Sequence, residues 1–480
     1  MPLVVVTRRD WPRVNEQLVE ACFTNARRDH RFARLYDLEK PLVEPLGVAW
    51  VAGGDEGGGF RPGEFVAYCS FYPQVLQHGT ATLLNGGARH VCTHPRARRK
   101  GKGTAVLREG LRRLSRLKFD SSILFSDSAH ARGLYERLGW APLPAAFRCE
   151  LPATSPSAIV SERPSGSEVA RMGARPLARG DLPRVAALHE RALRAFRLRF
   201  AAHRTLKYWE RHYSTRAGRR WEYLEQHGIY WNYHVVEVAG RVEALLGFHH
   251  PALEGSGATE SRGKPVPVEI FEFWVDPVSV SAGRTSFADV AKFALEHAKL
   301  AATGGQQRGG AADVPVVLNL SQRHPLVRWA LEAVPGARII AERPHPSAML
   351  RVVDPASTFG NLSANAQVAK RGGQLPSGRC FLKFPAELTE SEGSSEPRGL
   401  LLDSRGKFVN AKVVFGRDEV DCARSRAGDG VSFESIAALS RWIAGWSGAP
   451  GVETWGEGAA WLEALAGGPP TFDVAPLDGY

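Results

Sequence analysis

The sequence has no pair of cysteines spaced to share a metal. Its six cysteines, Cys22, Cys69, Cys92, Cys149, Cys380 and Cys422, are far apart and form no C-x-x-C. This argues against a metal site and for buried free thiols in a reducing compartment. No stretch approaches eighteen uninterrupted apolar residues, so no membrane-crossing helix is expected. The opening Met-Pro-Leu-Val-Val-Val-Thr-Arg-Arg is too short in its apolar part, and has its charges on the wrong side, for a signal peptide. A soluble, cytoplasmic protein is the expectation. Aromatic residues are missing where the chain is most basic: ten Lys or Arg fall between 96 and 118, opposed only by Glu109, with no aromatic among them. Single-strand nucleic-acid binding needs interleaved aromatics. The net charge of +12 therefore suits the basic mouth of a site for a multiply phosphorylated cofactor better than a nucleic-acid surface. Arg108, Arg112 and Arg116, one helical turn apart, also fit a solvated face.

What is present centres on residues 86 to 104. Alternation from Ala88 to Thr93 predicts a strand, Pro95 ends it, and an arginine- and glycine-rich turn feeds a helix from near Gly103 with Leu107, Leu111 and Leu114 on its apolar side. Gly101 and Gly103 let backbone N–H groups approach an anion, and the helix N-terminus behind them adds partial positive charge. Arg98, Arg99, Lys100 and Lys102 supply full charges beside those amides.

The spacing Arg98-x-x-Gly101-x-Gly103 after such a strand resembles the acyl-CoA pyrophosphate loop of the GNAT acetyltransferase superfamily. Tyr135, Leu138, Gly139 and Trp140 resemble its second motif, in which the tyrosine points back at the thioester sulfur. A phenol with a reference pKa near 10 can protonate a departing thiolate of pKa near 8.5; a core tyrosine packing its helix on the sheet is the other reading. The resemblance implies that Val91, Cys92 and Thr93 hold the acetyl and pantetheine portions, that Arg99, Lys100, Gly101, Lys102, Gly103 and Thr104 join Arg98 around the pyrophosphate, and that His130 and Ala131 touch acetyl-CoA.

At 480 residues the chain is too long for one core, and three domains are expected. Residues 1–150 form the first, 151–174 are a Pro/Ser-rich linker, 175–355 a second domain and 356–480 a third. The second domain opens on an echo of the first. Thr7-Arg8-Arg9-Asp10-Trp11-Pro12-Arg13-Val14 recurs as Ala178-Arg179-Gly180-Asp181-Leu182-Pro183-Arg184-Val185, with five identities in eight. Its counterpart loop, 276 to 284, lacks R-x-x-G-x-G and most of the positive charge, so it is expected to bind no CoA. Glu269, Glu272 and Trp274 on the preceding strand are candidates to face a cationic substrate, or are half-buried structure.

A GNAT domain, a degenerate second copy and a C-terminal module similar to sterol carrier proteins resemble the Eis-like (enhanced intracellular survival) acetyltransferases. The fold class is thus α/β (α+β), with tandem mixed sheets and flanking helices. The resemblance implies acetyl transfer to a primary amine of a small cationic molecule such as an aminoglycoside or polyamine, a hexamer, and a C-terminal carboxylate, here that of Tyr480, as general base. It implies no metal. A non-catalytic module that binds acyl-CoA or lipid is the competing reading.

Overall fold

The computed structural model describes residues 3–7, 9–19, 22, 46–53, 59–126, 129–142, 148–152, 172–196, 199–215, 231–249, 260–261, 264–265, 267–302, 314–320, 324–340, 348–373, 375, 377–385, 398–404, 408–415, 417–444 and 452–466. Tyr480, most of the linker at 151–174 and the Gly/Ser-rich stretches at 303–312 and 390–396 lie outside the described residues. The chain divides into two compact units. One gathers the described residues up to 142 and from 348 onward, and the other those from 148 to 340.

In the first unit, β1 (Leu3–Val6), β2 (Leu46–Val51), β3 (Phe65–His78) and β4 (Ala81–Thr93) form an antiparallel meander. β5 (Ser121–Phe125) joins β4 in parallel, which requires a crossover, supplied by helix α1 (Lys102–Arg116). Helix α2 (Ala129–Arg137) leads to β6 (Ala141–Pro142), and Ala348–Val352 fills the place between β5 and β6. β3 is buried along most of its length, as its run of aromatic and β-branched residues demands. α1 is amphipathic: Leu107, Leu111 and Leu114 lie on its buried face against Phe71 and Leu124. Glu109 binds Arg112 and Arg113 at 2.5 and 2.7 Å, so part of the basic stripe is neutralised within its own helix.

A five-stranded sheet in the same unit runs 410–415, 398–403, 379–383, 429–433, 452–455, with only 379–383 and 429–433 parallel. The helix Pro355–Arg371 fastens it to the first sheet through Asn365. That side chain accepts from the Thr80 N–H and hydroxyl at 2.7 and 2.8 Å and donates to the His78 and Leu465 carbonyls at 3.1 and 2.9 Å. All four of its hydrogen bonds are made in a buried position, so the burial carries no desolvation penalty.

The second unit repeats the plan of the first sheet. Met172–Pro176, Trp231–Val238, Arg241–His249 and Val268–Val275 form the antiparallel meander, and Val316–Leu318 joins Val268–Val275 in parallel. Arg148–Leu151 and Arg338–Ile340 complete it. Arg148–Leu151 thus takes the slot in this sheet that Ala348–Val352 takes in the other. The echoed segments also do one job. Asp10 accepts the Thr7 N–H at 2.9 Å and Asp181 accepts the Ala178 N–H at 2.8 Å, each closing the turn that starts a helical segment.

Candidate active site

The site begins where β4 and β5 part. Their register ends at Ala88↔Leu124, while β4 runs on to Thr93, so the backbone of Val91, Cys92 and Thr93 lies beyond the β5 ladder. β4 is also bulged here: Tyr68 pairs with Cys92 and Ser70 with Arg89, so His90 and Val91 together face Cys69. His90 takes a left-handed backbone, φ 54°, which costs a non-glycine residue roughly 1 kcal/mol. Such strain and such bulges gather at functional sites because they re-aim the strand. The Ser70 hydroxyl holds the imidazole Nδ1 at 3.0 Å, with Trp11 and Tyr72 rings beside it. Burial lowers the His90 pKa to about 3, so the ring is neutral at pH 7. Sequence reading passed His90 over, because alternation along a strand gives no sign of a bulge.

Past Thr93 a 3₁₀ turn, Pro95–Ala97, leads into the basic loop. Arg99 and Gly101 are both left-handed, with φ 62° and 73°, and Gly101 caps α1. The turn therefore alternates in hand and stands at the positive end of α1, a backbone form that can present N–H groups to an anion. Arg98, Arg99 and Lys100 are exposed around it. Arg98 Nε also approaches the Thr93 carbonyl at 3.4 Å, and Lys102 Nζ stands 3.6 Å over the Trp50 ring. A Cβ at Gly103 would come within 2.8 Å of the Thr93 hydroxyl, so glycine lets strand and helix close up there. At Gly101 nothing stands within 4 Å of an added Cβ, and only the dihedral matters. Gly101→Ala is therefore expected to lower the unfolding free energy by about 1 kcal/mol in urea titrations; an unchanged midpoint would mean the turn is not left-handed in solution.

Tyr135 comes from α2. It is 6% exposed, packs edge-to-face on Trp140 at 5.8 Å between ring centres, and belongs to the core cluster that holds Cys69 and Ala131. Burial, with smaller contributions from the nearby Cys69 and Cys92 thiols, pushes its phenol above the ordinary value. The bulged strand and this phenol are thus near neighbours. The His130 backbone is helical; its side chain lies outside the described residues, as does Tyr480.

The corresponding loop of the second unit is built differently. Asp276 caps the short helix Pro277–Ser281, accepting from the Val278 N–H at 3.0 Å, and Arg191 grips the same carboxylate at 2.6 Å. Asp276 thus caps the short helix that follows the strand, as His94 caps Pro95–Ala97 in the first unit. Glu272 and Trp274 are 2% and 4% exposed. The Glu272 carboxylate is taken by Arg204, by the Tyr233 hydroxyl at 2.7 Å and by Trp274 Nε1 at 2.8 Å. Glu269 accepts from Asn319 at 2.9 Å.

Residues 5–143 match the sequence profile of the family described as "Acetyltransferase (GNAT) domain". No curated protein sequence matches the chain. Among solved structures, the GCN5-related N-acetyltransferase from Kribbella flavida aligns with 17% identity over 98% of this chain and 97% of its own, with a TM-score of 0.58. That from Anabaena variabilis aligns with 12% identity over 99% and 98%, TM-score 0.59. Eis1 from Mycobacterium abscessus aligns with 13% identity over 91% and 89%, TM-score 0.51. At these identities the likeness is one of fold. The profile match, the parting strands and the glycine-arginine loop coincide in one stretch: residues 5–143 carry the sequence pattern of a GNAT acetyltransferase domain.

Proposed function

We propose that the chain is an acetyl-CoA-dependent N-acetyltransferase that acts on a primary amine of a small cationic molecule. One observation carries the reading: the left-handed Arg99–Gly101 turn, the strand end at 91–93 and the Tyr135 phenol converge on the same end of β4. In this reading the amides of 99–103, with Arg98, Arg99, Lys100 and Lys102 and the Thr104 side chain, hold the pyrophosphate. The backbone of Val91, Cys92 and Thr93, free of the β5 ladder, orients the pantetheine and the acyl carbonyl, and His130 and Ala131 border it. The bound thioester supplies an activated acyl group. Tyr135, kept protonated by burial, gives its proton to the departing sulfur. The terminal carboxylate of Tyr480, ionised at pH 7, takes the proton from the amine directly or through water.

The second unit, whose loop 276 to 284 lacks R-x-x-G-x-G, serves as a structural copy, and the five-stranded sheet with its helices is read as the sterol-carrier-like module. Calorimetry with acetyl-CoA, followed by thiol release with polyamines and aminoglycosides, tests the proposal. Heat and thiol release are expected together. No heat on titration would sink it, and heat without release across the panel would favour a non-catalytic acyl-CoA-binding module.

A further inference from the structure

Cys22 and Cys92 meet beside the cofactor loop although 69 residues separate them in sequence. Cys22 packs against the cluster that includes Val14, Leu18, Cys92, Ala49 and Tyr68. Cys92 follows directly on the His90–Val91 bulge. The two thiols thus share one small cluster, and Arg98 and Thr93 stand near enough to act on the Cys22 sulfur.

The two sulfurs differ in character. Cys22 is partly accessible and Cys92 is buried. The neighbouring Cys92 thiol, together with Arg98, holds the Cys22 thiol below its ordinary pKa, whereas Cys22 and burial push Cys92 up. A thiol stabilised as thiolate by an arginine is the reactive kind. Cys69, by contrast, is fully buried, gives its thiol to the Val106 carbonyl at 3.4 Å and belongs to a different core cluster.

We propose that Cys22 and Cys92 form a dithiol that reacts with hydroperoxides and disulfides, Cys22 as the attacking sulfur and Cys92 as the resolving one. The Cys22 thiolate attacks the terminal oxygen of a hydroperoxide, the O–O bond breaks, and the alkoxide leaves as an alcohol once protonated. Cys22 is then a sulfenic acid. The Cys92 sulfur attacks it, the S–S bond forms, and hydroxide departs with the Cys92 proton as water. Two thiols are oxidised and one peroxide is reduced. A small disulfide reaches the same product by two exchanges, releasing two thiols. The bridge ties the strand end at 92–93 to the helical segment and removes the anion beside Arg98. Resting on the proposed acetyl-CoA reading, the oxidised form is expected to bind CoA roughly tenfold more weakly.

The test uses the full chain, reduced, treated with hydrogen peroxide, alkylated and mapped by peptide mass spectrometry. A Cys22–Cys92 linked peptide lighter by two hydrogens, restored by dithiothreitol, is expected. In Cys92→Ser, Cys22 should stop at the sulfenic acid and be trapped by dimedone; in Cys22→Ser, Cys92 should stay alkylatable. Both residues alkylated in treated wild type, or Cys92 oxidised as fast in Cys22→Ser, would overturn the proposal. Calorimetry on reduced and oxidised protein reads the consequence separately. Equal affinities would cut the link between the dithiol and the loop, whereas no heat with reduced protein would sink the acetyl-CoA reading and leave the peptide map to decide the dithiol.

Discussion

Tyr135→Phe is expected to cut turnover by about a hundredfold to ten-thousandfold, the range over which a positioned acid contributes, while the heat of CoA binding stays as it is. The substitution removes one oxygen and keeps the ring that packs on Trp140, so the fold has no reason to change. The expected pattern is a fall in kcat with substrate affinity preserved, because a proton given only as the sulfur leaves stabilises the transition state and not the bound reactants. The pH profile separates this role from a packing role. Burial holds the phenol above its ordinary value, so the wild-type enzyme should show no loss of activity from this group up to at least about pH 10. If the phenylalanine variant turns over at the wild-type rate, Tyr135 is a core tyrosine and no acid. If CoA binding falls with turnover, the ring shapes the cofactor cleft and the acid assignment has no support.

The pieces of this site that could be read from sequence share one property: each is local. The strand, turn and helix of 86–116 are written in consecutive residues, and the structure forms β4, the loop and α1 there. The cap made by Asp10, and repeated by Asp181, lies within the eight-residue echo. What sequence did not reveal depends on partners far along the chain. Nothing in the alternation of Ala348–Val352 tells which sheet it will enter, yet it pairs with β5; nothing in that of Arg148–Leu151 tells that it will pair with Val316–Leu318. Glu272 reads as a strand residue of either face until Arg204, sixty-eight positions upstream, closes on it. The bulge at His90 is invisible for the same reason, since it is a mismatch between two strands and a property of neither alone. Cys22 and Cys92 looked like isolated thiols because contact between them depends on how a helical segment crosses a sheet.

Mild acid should destabilise the second unit well before any carboxylate titrates. His189 and His324 are each 1% exposed. Burial lowers both, His324 to about 3, and the nearby Arg204 and His203 charges add to the effect on His189. Their rings lie edge-on to Trp274 at 5.2 and 5.5 Å, and His324 Nδ1 accepts the Leu326 N–H at 3.1 Å, a bond that imidazolium cannot accept. His234 and His297 share an N···N contact of 2.8 Å in which one ring must stay neutral to accept, and burial lowers both, His234 to about 4. The sign follows from proton uptake. Below about pH 6.5 the unfolded chain protonates these imidazoles while the folded unit does not, so stability is complete above that value and drains away as pH falls toward the folded pKa values. A fully buried ring gives up at most about 1.4 kcal/mol per pH unit, and half that slope at pH 6.5 itself, so His189 and His324 together should lose about 3 kcal/mol between pH 6.5 and 5, set against the 5–15 kcal/mol that holds an ordinary domain. The lowered carboxylates Asp181 and Asp276 contribute in the same direction only below about pH 4, so the window from 6.5 to 5 isolates the histidines. Urea titrations at pH 7.5, 6 and 5 measure it, and identical midpoints at the three values would refute it. His189→Phe keeps an aromatic ring against Trp209 and Trp274 and cannot take a proton, so its stability should depend on pH less steeply by one proton's worth, even if its midpoint at pH 7.5 differs from wild type.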